Sequence, residues 1–400
     1  VRRIVTAIRY RAILLFVLCI CANGAHATEC VNFSAAVAAF VDAQVQLLAL
    51  TPSDDLDPML TPPVQQGIAR AKAAIAAIVR ARLACAGADE TSEQLENDLN
   101  QAMRTVHAGC GERCAHSAYG DVPEFAVAPA AVQPQLIGIV ARMPIECGLD
   151  SALFVFEREA GAWRERLHWQ SAPYTDVSGA FEAFDYKISP PDAHGRWYVL
   201  VKDVAPWCSS TWSTVRYAVL RPSSSGATPI VFRGEDEIYW GSEDFGAITA
   251  NARDFDVRFH AASIDPGVHN RVWIRHFTID GDTVRRVPPI ALTPRDFVDE
   301  WIRTPWAQAA RWSAPAKRAA LARSHRQLRA AWHKHYYEFA AIHACPGRPH
   351  RYEVGLTSDD DEPDWFLTIR GDSDFTLIGV ARAANPACRG PDLRDTMQTQ

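Results

Sequence analysis

Four hundred residues, 48% hydrophobic and 22% charged with no low-complexity tract, describe a folded chain too long for one ordinary core, so two domains are expected. A formal net charge of −6 argues against a protein that holds nucleic acid by general electrostatics, because that mode needs cations to neutralise phosphates. Basic charge is carried almost wholly by Arg, and with the many Ala residues and Val1 in first position this suggests a GC-rich bacterial coding sequence.

Residues 1–27 read as a targeting segment: Arg2, Arg3, Arg9 and Arg11, then the apolar run AILLFVLCICA, then Ala25-His26-Ala27 as a small-residue cleavage site. The run is too short to cross about 30 Å of hydrocarbon. Cleavage after Ala27 is expected, leaving Thr28 first, a mature charge of about −10, no integral membrane segment and a periplasmic or secreted location. Eight cysteines would remain: Cys30, Cys85, Cys110, Cys114, Cys147, Cys208, Cys345 and Cys388. An even number in an exported chain implies disulfides, and proximity within segments favours 30–85, 110–114, 147–208 and 345–388.

Residues 28–120 are expected to form a helical bundle domain. Val37, Phe40, Val41, Val45 and Leu48 recur at helical spacing, the proline-rich TPSDDLDPMLTPP interrupts them, and Ile68, Ile75, Ile78 and Leu83 mark a second, Ala-rich helix. Asp89 or Thr91 starts a third through Leu95, Leu99, Met103 and Val106. Near its end His107, Cys110, Cys114 and His116 offer zinc-type ligands, but a local disulfide is the simpler reading in an oxidising compartment, and no metal is assigned.

From residue 125 to 400 the pattern becomes antiparallel β, about fourteen strands in all. An aromatic-rich strand, a turn and a Trp-led strand recur at Trp163, Trp197, Trp273 and Trp365. The fold class is therefore α+β, mainly antiparallel β, with the β domain either propeller-like or a sandwich or meander. The clearest stretch is 254–287, where Phe255, Val257 and Phe259 alternate with polar residues, Trp273, Arg275 and Phe277 alternate with Val272, Ile274 and His276, and Asp280-Gly281 marks a tight turn. A helical insertion is expected at about 294–342. Thr293 and Asp296 cap its first helix, and a second carries the stripe Leu321, Leu328, Trp332, Tyr336, Phe339 and Ile342 opposite Lys317, Arg318, Arg323, Arg326, Arg329 and Lys334.

No nucleophile elbow, phosphate loop, zinc-protease helix or dinucleotide fingerprint is present, and nothing calls for a cofactor. Two loops carry the candidate ligand-binding residues. The first is Gly234 to Gly246, with Tyr239, Trp240, Glu243 and Asp244, where carboxylates beside aromatic rings suit sugar hydroxyls and apolar sugar faces. The second is 263–271, where Asp265, His269 and Arg271 gather about a Pro-Gly turn. The expected partner is a protein or carbohydrate ligand, not nucleic acid, and the expected role is binding. The rival is a secreted hydrolase using loop carboxylates or the Asp265/His269 pair.

Overall fold

The computed structural model describes residues 32–50, 61–87, 89–110, 119, 121–145, 148–171, 184–204, 212–222, 229–239, 246–268, 271–358, 364–372 and 374–393. Among them are six α-helices and four antiparallel sheets, each of four strands bonded to their sequence neighbours, and no sheet closes into a barrel. The chain divides into two compact units: Val1–Phe184 with Asp203–Ser209 and Leu220–Ile230, and Asp185–Lys202 with Ser210–Val219 and Val231–Gln400.

The first unit holds helices α1 (32–48), α2 (Pro62–Ala84) and α3 (Ser92–Cys110) and the sheet β1 (Glu124–Ala130), β2 (Gln133–Ile145), β3 (Gly148–Glu159) and β4 (Ala162–Gln170). Prolines 62 and 63 open α2, where their fixed φ suits the first helical turn. Thr91 starts α3 as a reciprocal cap: its hydroxyl accepts from Gln94 N at 3.2 Å and Gln94 Oε1 accepts from Thr91 N at 2.8 Å. The stripes of α2 and α3 are buried as their spacing requires. That of α1 is Ala36, Phe40, Ala43 and Leu47, whereas Val45 is 47% exposed, because at 100° per residue it falls on the opposite side of the helix.

These helices and the sheet share one core, in which Phe40, Ile78 and Leu95 pack with Phe125, Ile139 and Phe154. Side chains of α3 also complete the edge strand: Asn100 exchanges two hydrogen bonds with the Phe125 backbone (2.8 and 2.9 Å), and Glu96 accepts from Val127 N at 2.7 Å. Lys72, buried, meets Asp150 at 2.8 Å and the Ser171 carbonyl at 2.9 Å. On β4, His168 stacks on Phe154 with ring centres 4.5 Å apart, and burial, reinforced by Arg80, pushes its imidazole down to about 4.

The second unit contains most of the sheet β5 (Asp185–Ile188), β6 (Val199–Val204), β7 (Trp212–Leu220) and β8 (Ile230–Tyr239). It also contains β9 (Ala247–Ala250), β10 (Asp254–Ala261), β11 (Arg271–Asp280) and β12 (Thr283–Arg286), and a last sheet, β13 (Glu338–Ala344), β14 (Arg351–Thr357), β15 (Trp365–Arg370) and β16 (Thr376–Ala381). Phe255, Val257 and Phe259 are buried on β10. Asp280 pairs with Thr283 across a two-residue turn in which Gly281 takes φ +57°, a conformation that side chains resist. Rings of Tyr217, Phe232, Phe255 and Phe277 pack together with centres 4.8–6.1 Å apart. The Trp-led hairpins fall at unequal places: β3–β4 in the first sheet, β5–β6 in the second, and the central pair in the third and fourth.

Helix α4 (Pro294–Arg303) starts as expected, the Thr293 hydroxyl accepting from Asp296 N at 3.1 Å, with Phe297 and Trp301 fully buried. Short α5 (Trp306–Ala309) and α6 (Arg318–Trp332) follow. The predicted second stripe is cut short. The helix ends at Trp332, and Phe339 and Ile342 belong to β13, where the run Glu338–Ala344 pairs with β14 instead of continuing the helical face. The strand's other edge meets the chain's last described residues: Gly390 N donates to Ala344 O, Leu393 N to Ile342 O at 2.8 Å, and Ile342 N to Asp392 Oδ1 at 3.1 Å. Cys345 and Cys388 form the expected disulfide, closing a separation of 43 residues. Cys85 and Cys110 are disulfide-bonded as well, while Cys30, Cys114, Cys147 and Cys208 lie outside the described residues.

Replacing Cys345 and Cys388 together by Ser is expected to lower unfolding free energy by about 4 kcal/mol from loop entropy, read by urea denaturation. His168 gives a pH signature. Its folded pKa lies below its unfolded one, so the unfolded chain binds the extra proton and stability drops as pH falls from 6.5 towards 4. The contribution is on the order of 2 kcal/mol, and His168→Gln is expected to flatten that part of the stability profile relative to wild type.

Candidate functional site

Strand β11 places Arg271, Trp273, Arg275 and Phe277 on one face, and that face is the buried one. Two arginines in such a place need fixed counter-charges, since an unpaired buried charge is strongly destabilising. Helix α4 supplies them. Its Asp296, Asp299 and Glu300 are spaced at one helical turn, and all three are buried.

Arg271 reaches Asp299 at 2.9 Å and Asp296 at 3.3 Å, and donates to the Asp296 carbonyl at 2.7 Å. The Ser263 hydroxyl donates to Asp299 at 2.6 Å. Burial pushes the Asp299 carboxyl above its ordinary range despite Arg271 and Arg303.

Arg275 forms a fork with Asp236 of β8, Nη2 to Oδ1 at 2.6 Å and Nε to Oδ2 at 3.0 Å, while its Nη1 donates to Glu300 at 3.0 Å. Tyr217 donates to Asp236 at 2.9 Å, and burial drives its phenol well above the usual range. Gly234 makes room for that ring, since a Cβ there would collide with it. Glu300 also accepts from Arg286 at 2.7 Å and from the Thr304 hydroxyl at 2.9 Å. Burial alone would raise Glu300, but Arg275, Arg286 and Arg271 outweigh it and hold the carboxyl far below the usual range. The Trp273 ring stacks among arginines, with Arg271 3.8 Å, Arg303 4.8 Å and Arg275 4.9 Å from its centre.

Tyr217, Asp236, Arg275, Arg286, Glu300 and Arg303 form the polar side of a cavity of about 480 Å³ in the second unit, while the Arg271 cluster with Asp296 and Asp299 does not line it. Phe232 and Phe259 supply its apolar side, and Glu235, Glu237 and Gln308 stand exposed at its rim. Its size falls in the range of small-molecule sites, with few polar groups in fixed geometry.

Of the residues singled out from sequence, Arg271 is buried in ion pairs. Asp265 is spent on its own loop: Oδ1 accepts from Gly267 N at 2.8 Å and Oδ2 from Phe339 N at 3.0 Å, which fastens the loop to β13. Trp240, Glu243, Asp244 and His269 lie outside the described residues, as does the side chain of Tyr239. The first residues of the predicted acidic loop, Gly234 to Tyr239, are strand, the end of β8, and residues 240–245 lie outside the described residues. The strand's outward Glu235 and Glu237 line the cavity, and Asp265 does not. Asp236, Arg275, Arg286, Glu300 and Tyr217 were not singled out. The one available signal was Arg271-x-Trp273-x-Arg275 on the same strand face as Phe277. No family model and no curated protein sequence matches the chain.

Glu300→Gln is expected to destabilise the protein by about 3–5 kcal/mol, because Arg275 and Arg286 lose a shared counter-charge. Since the folded carboxyl titrates below its ordinary 4.5, its contribution is complete above that pH and lost below it. Urea melts should therefore show the gap between variant and wild type narrowing as pH falls under 4.5.

Proposed function

We propose that this is an exported bacterial binding protein, not an enzyme, and that the cavity of the second unit receives a carbohydrate or a polar protein side chain. Export rests on the basic, apolar and Ala-x-Ala segments at 1–27, and is supported by the Cys345–Cys388 disulfide and by the absence, among the described residues, of a helix long and apolar enough to cross a membrane. The same proposal treats α1–α3 as a helical bundle pinned by disulfides.

One observation carries the binding reading: the cavity's buried carboxylates are already neutralised by arginine. A general acid needs a raised pKa near working pH, and Glu300 is driven the other way. Groups fixed in this manner orient a ligand without exchanging protons with it. The exposed carboxylates of Glu235 and Glu237 would accept hydroxyl protons, with Gln308 as a donor beside them.

Thermal-shift and calorimetric titration of the purified chain against neutral and acidic oligosaccharides tests this. A ligand at a hundred times its Kd should stabilise by about 2.7 kcal/mol. Glu237→Gln and Glu235→Gln should each weaken it about tenfold or more without changing the fold. Turnover of a glycoside or ester substrate that disappears in Glu243→Gln or His269→Ala would overturn the binding reading in favour of a hydrolase.

A further inference from the structure

We propose that helix α6 presents a second binding surface, a docking face for an acidic polysaccharide. Between Glu300 and Glu338 the chain carries eight Lys and Arg and no Asp or Glu, which leaves the remainder of the molecule at −14. Lys317, Arg318, Arg323, Arg326 and Lys334 are exposed and Arg329 is half-buried, and none of the six makes an ion pair among the described residues. The buried arginines, by contrast, are matched to carboxylates, as Arg271 is to Asp299 and Arg275 to Asp236 and Glu300. A cluster left without counter-charge in an acidic protein has self-repulsion to relieve, and an anionic partner relieves it.

Geometry narrows the partner. At 100° per residue the four helix arginines occupy an arc of about 140°, and Arg323, Arg326 and Arg329 follow one another at three-residue steps, roughly 5–6 Å apart. The helix's apolar side, Leu321 and Leu328 with His325, is buried, His325 lying 3.1 and 3.0 Å from the carbonyls of Trp301 and Thr304. Only Ala319, Ala322 and Ala330 stand among the arginines on the arc. Nothing there can insert into a bilayer, and a flat anionic membrane would face the acidic remainder of the molecule. A protein partner needs a buried apolar anchor that this face lacks. Single-stranded nucleic acid stacks successive bases on several rings, whereas Tyr336, 70% exposed and beyond the helix end, is the only large exposed ring among the described residues. A thin polymer with a carboxylate or sulfate on each repeat needs only a line of guanidinium groups, each able to take two oxygens.

The test compares the purified chain with the triple variant Arg323→Gln/Arg326→Gln/Arg329→Gln and a charge-matched control, Arg216→Gln/Arg233→Gln/Arg285→Gln. Probes are heparin and polyuronate, a mixed-sequence DNA duplex and strand, and vesicles with one-third anionic lipid, at roughly physiological ionic strength. Wild type and control are expected to bind a polysaccharide, with the triple variant at least tenfold weaker and its log Kd against log salt slope smaller by roughly two to three. Unchanged melting temperatures show that the fold is intact. Equal binding by the triple variant, equal loss in the control, absence of polysaccharide binding by wild type, or tighter binding to DNA or vesicles would each overturn the proposal. These arginines are not in the cavity, so ligand binding there is read separately.

Discussion

The second unit depends on matching buried charge. Arg271 and Arg275 project from the inner face of β11 about 13 Å apart, and the carboxylates that neutralise them come from a single turn of α4 and, for Arg275, also from Asp236 of β8. Sliding β11 by one residue would turn both guanidinium groups to the opposite face, taking Arg271 from Asp299 and Arg275 from Asp236 and Glu300. The aromatic packing around Phe255 and Phe277 tolerates small adjustments, but the ion pairs do not. They set which register of strand and which rotation of helix the chain can adopt, and Trp273, held among three arginines, shares that setting.

That constraint is the part of the fold least visible in the sequence. Alternation along β10 and β11, the Gly281 turn, the Thr293 cap and the Cys345–Cys388 bridge are local or paired by simple proximity, so they were legible. The role of Arg275 was not, because a charged residue in an alternating strand usually faces water, and the carboxylate that buries it, Glu300, belongs to a different element. The α6 stripe was extended past its end for a related reason: Tyr336, Phe339 and Ile342 satisfy a helical period and also suit a strand, and only pairing with β14 separates the two. The acidic loop at 235–244 hid a strand because its outward face is charged. The Trp-led repeat was real, yet it falls at different positions within successive sheets, which is why it gave no clean period.

Charge is handled in opposite ways in two places of the same unit. In the cavity each buried carboxylate has arginine or hydroxyl partners, so the wall is rigid and electrically quiet. On α6 the arginines meet no carboxylate among the described residues. A saturated wall favours recognition by shape and hydrogen bonding, while an unsaturated ridge favours long-range attraction that salt weakens.

The residues that follow β16 do more than hang from a disulfide. By bonding to Ile342 and Ala344 they occupy the outward hydrogen-bonding groups of β13, and His343 and Asp392 form a bridge of the ladder type. A bare outermost strand is a template on which other chains polymerise. The chain here serves as its own stopper, so a clipped C-terminus would expose a surface ready for head-on strand addition and aggregation before any loss of the core.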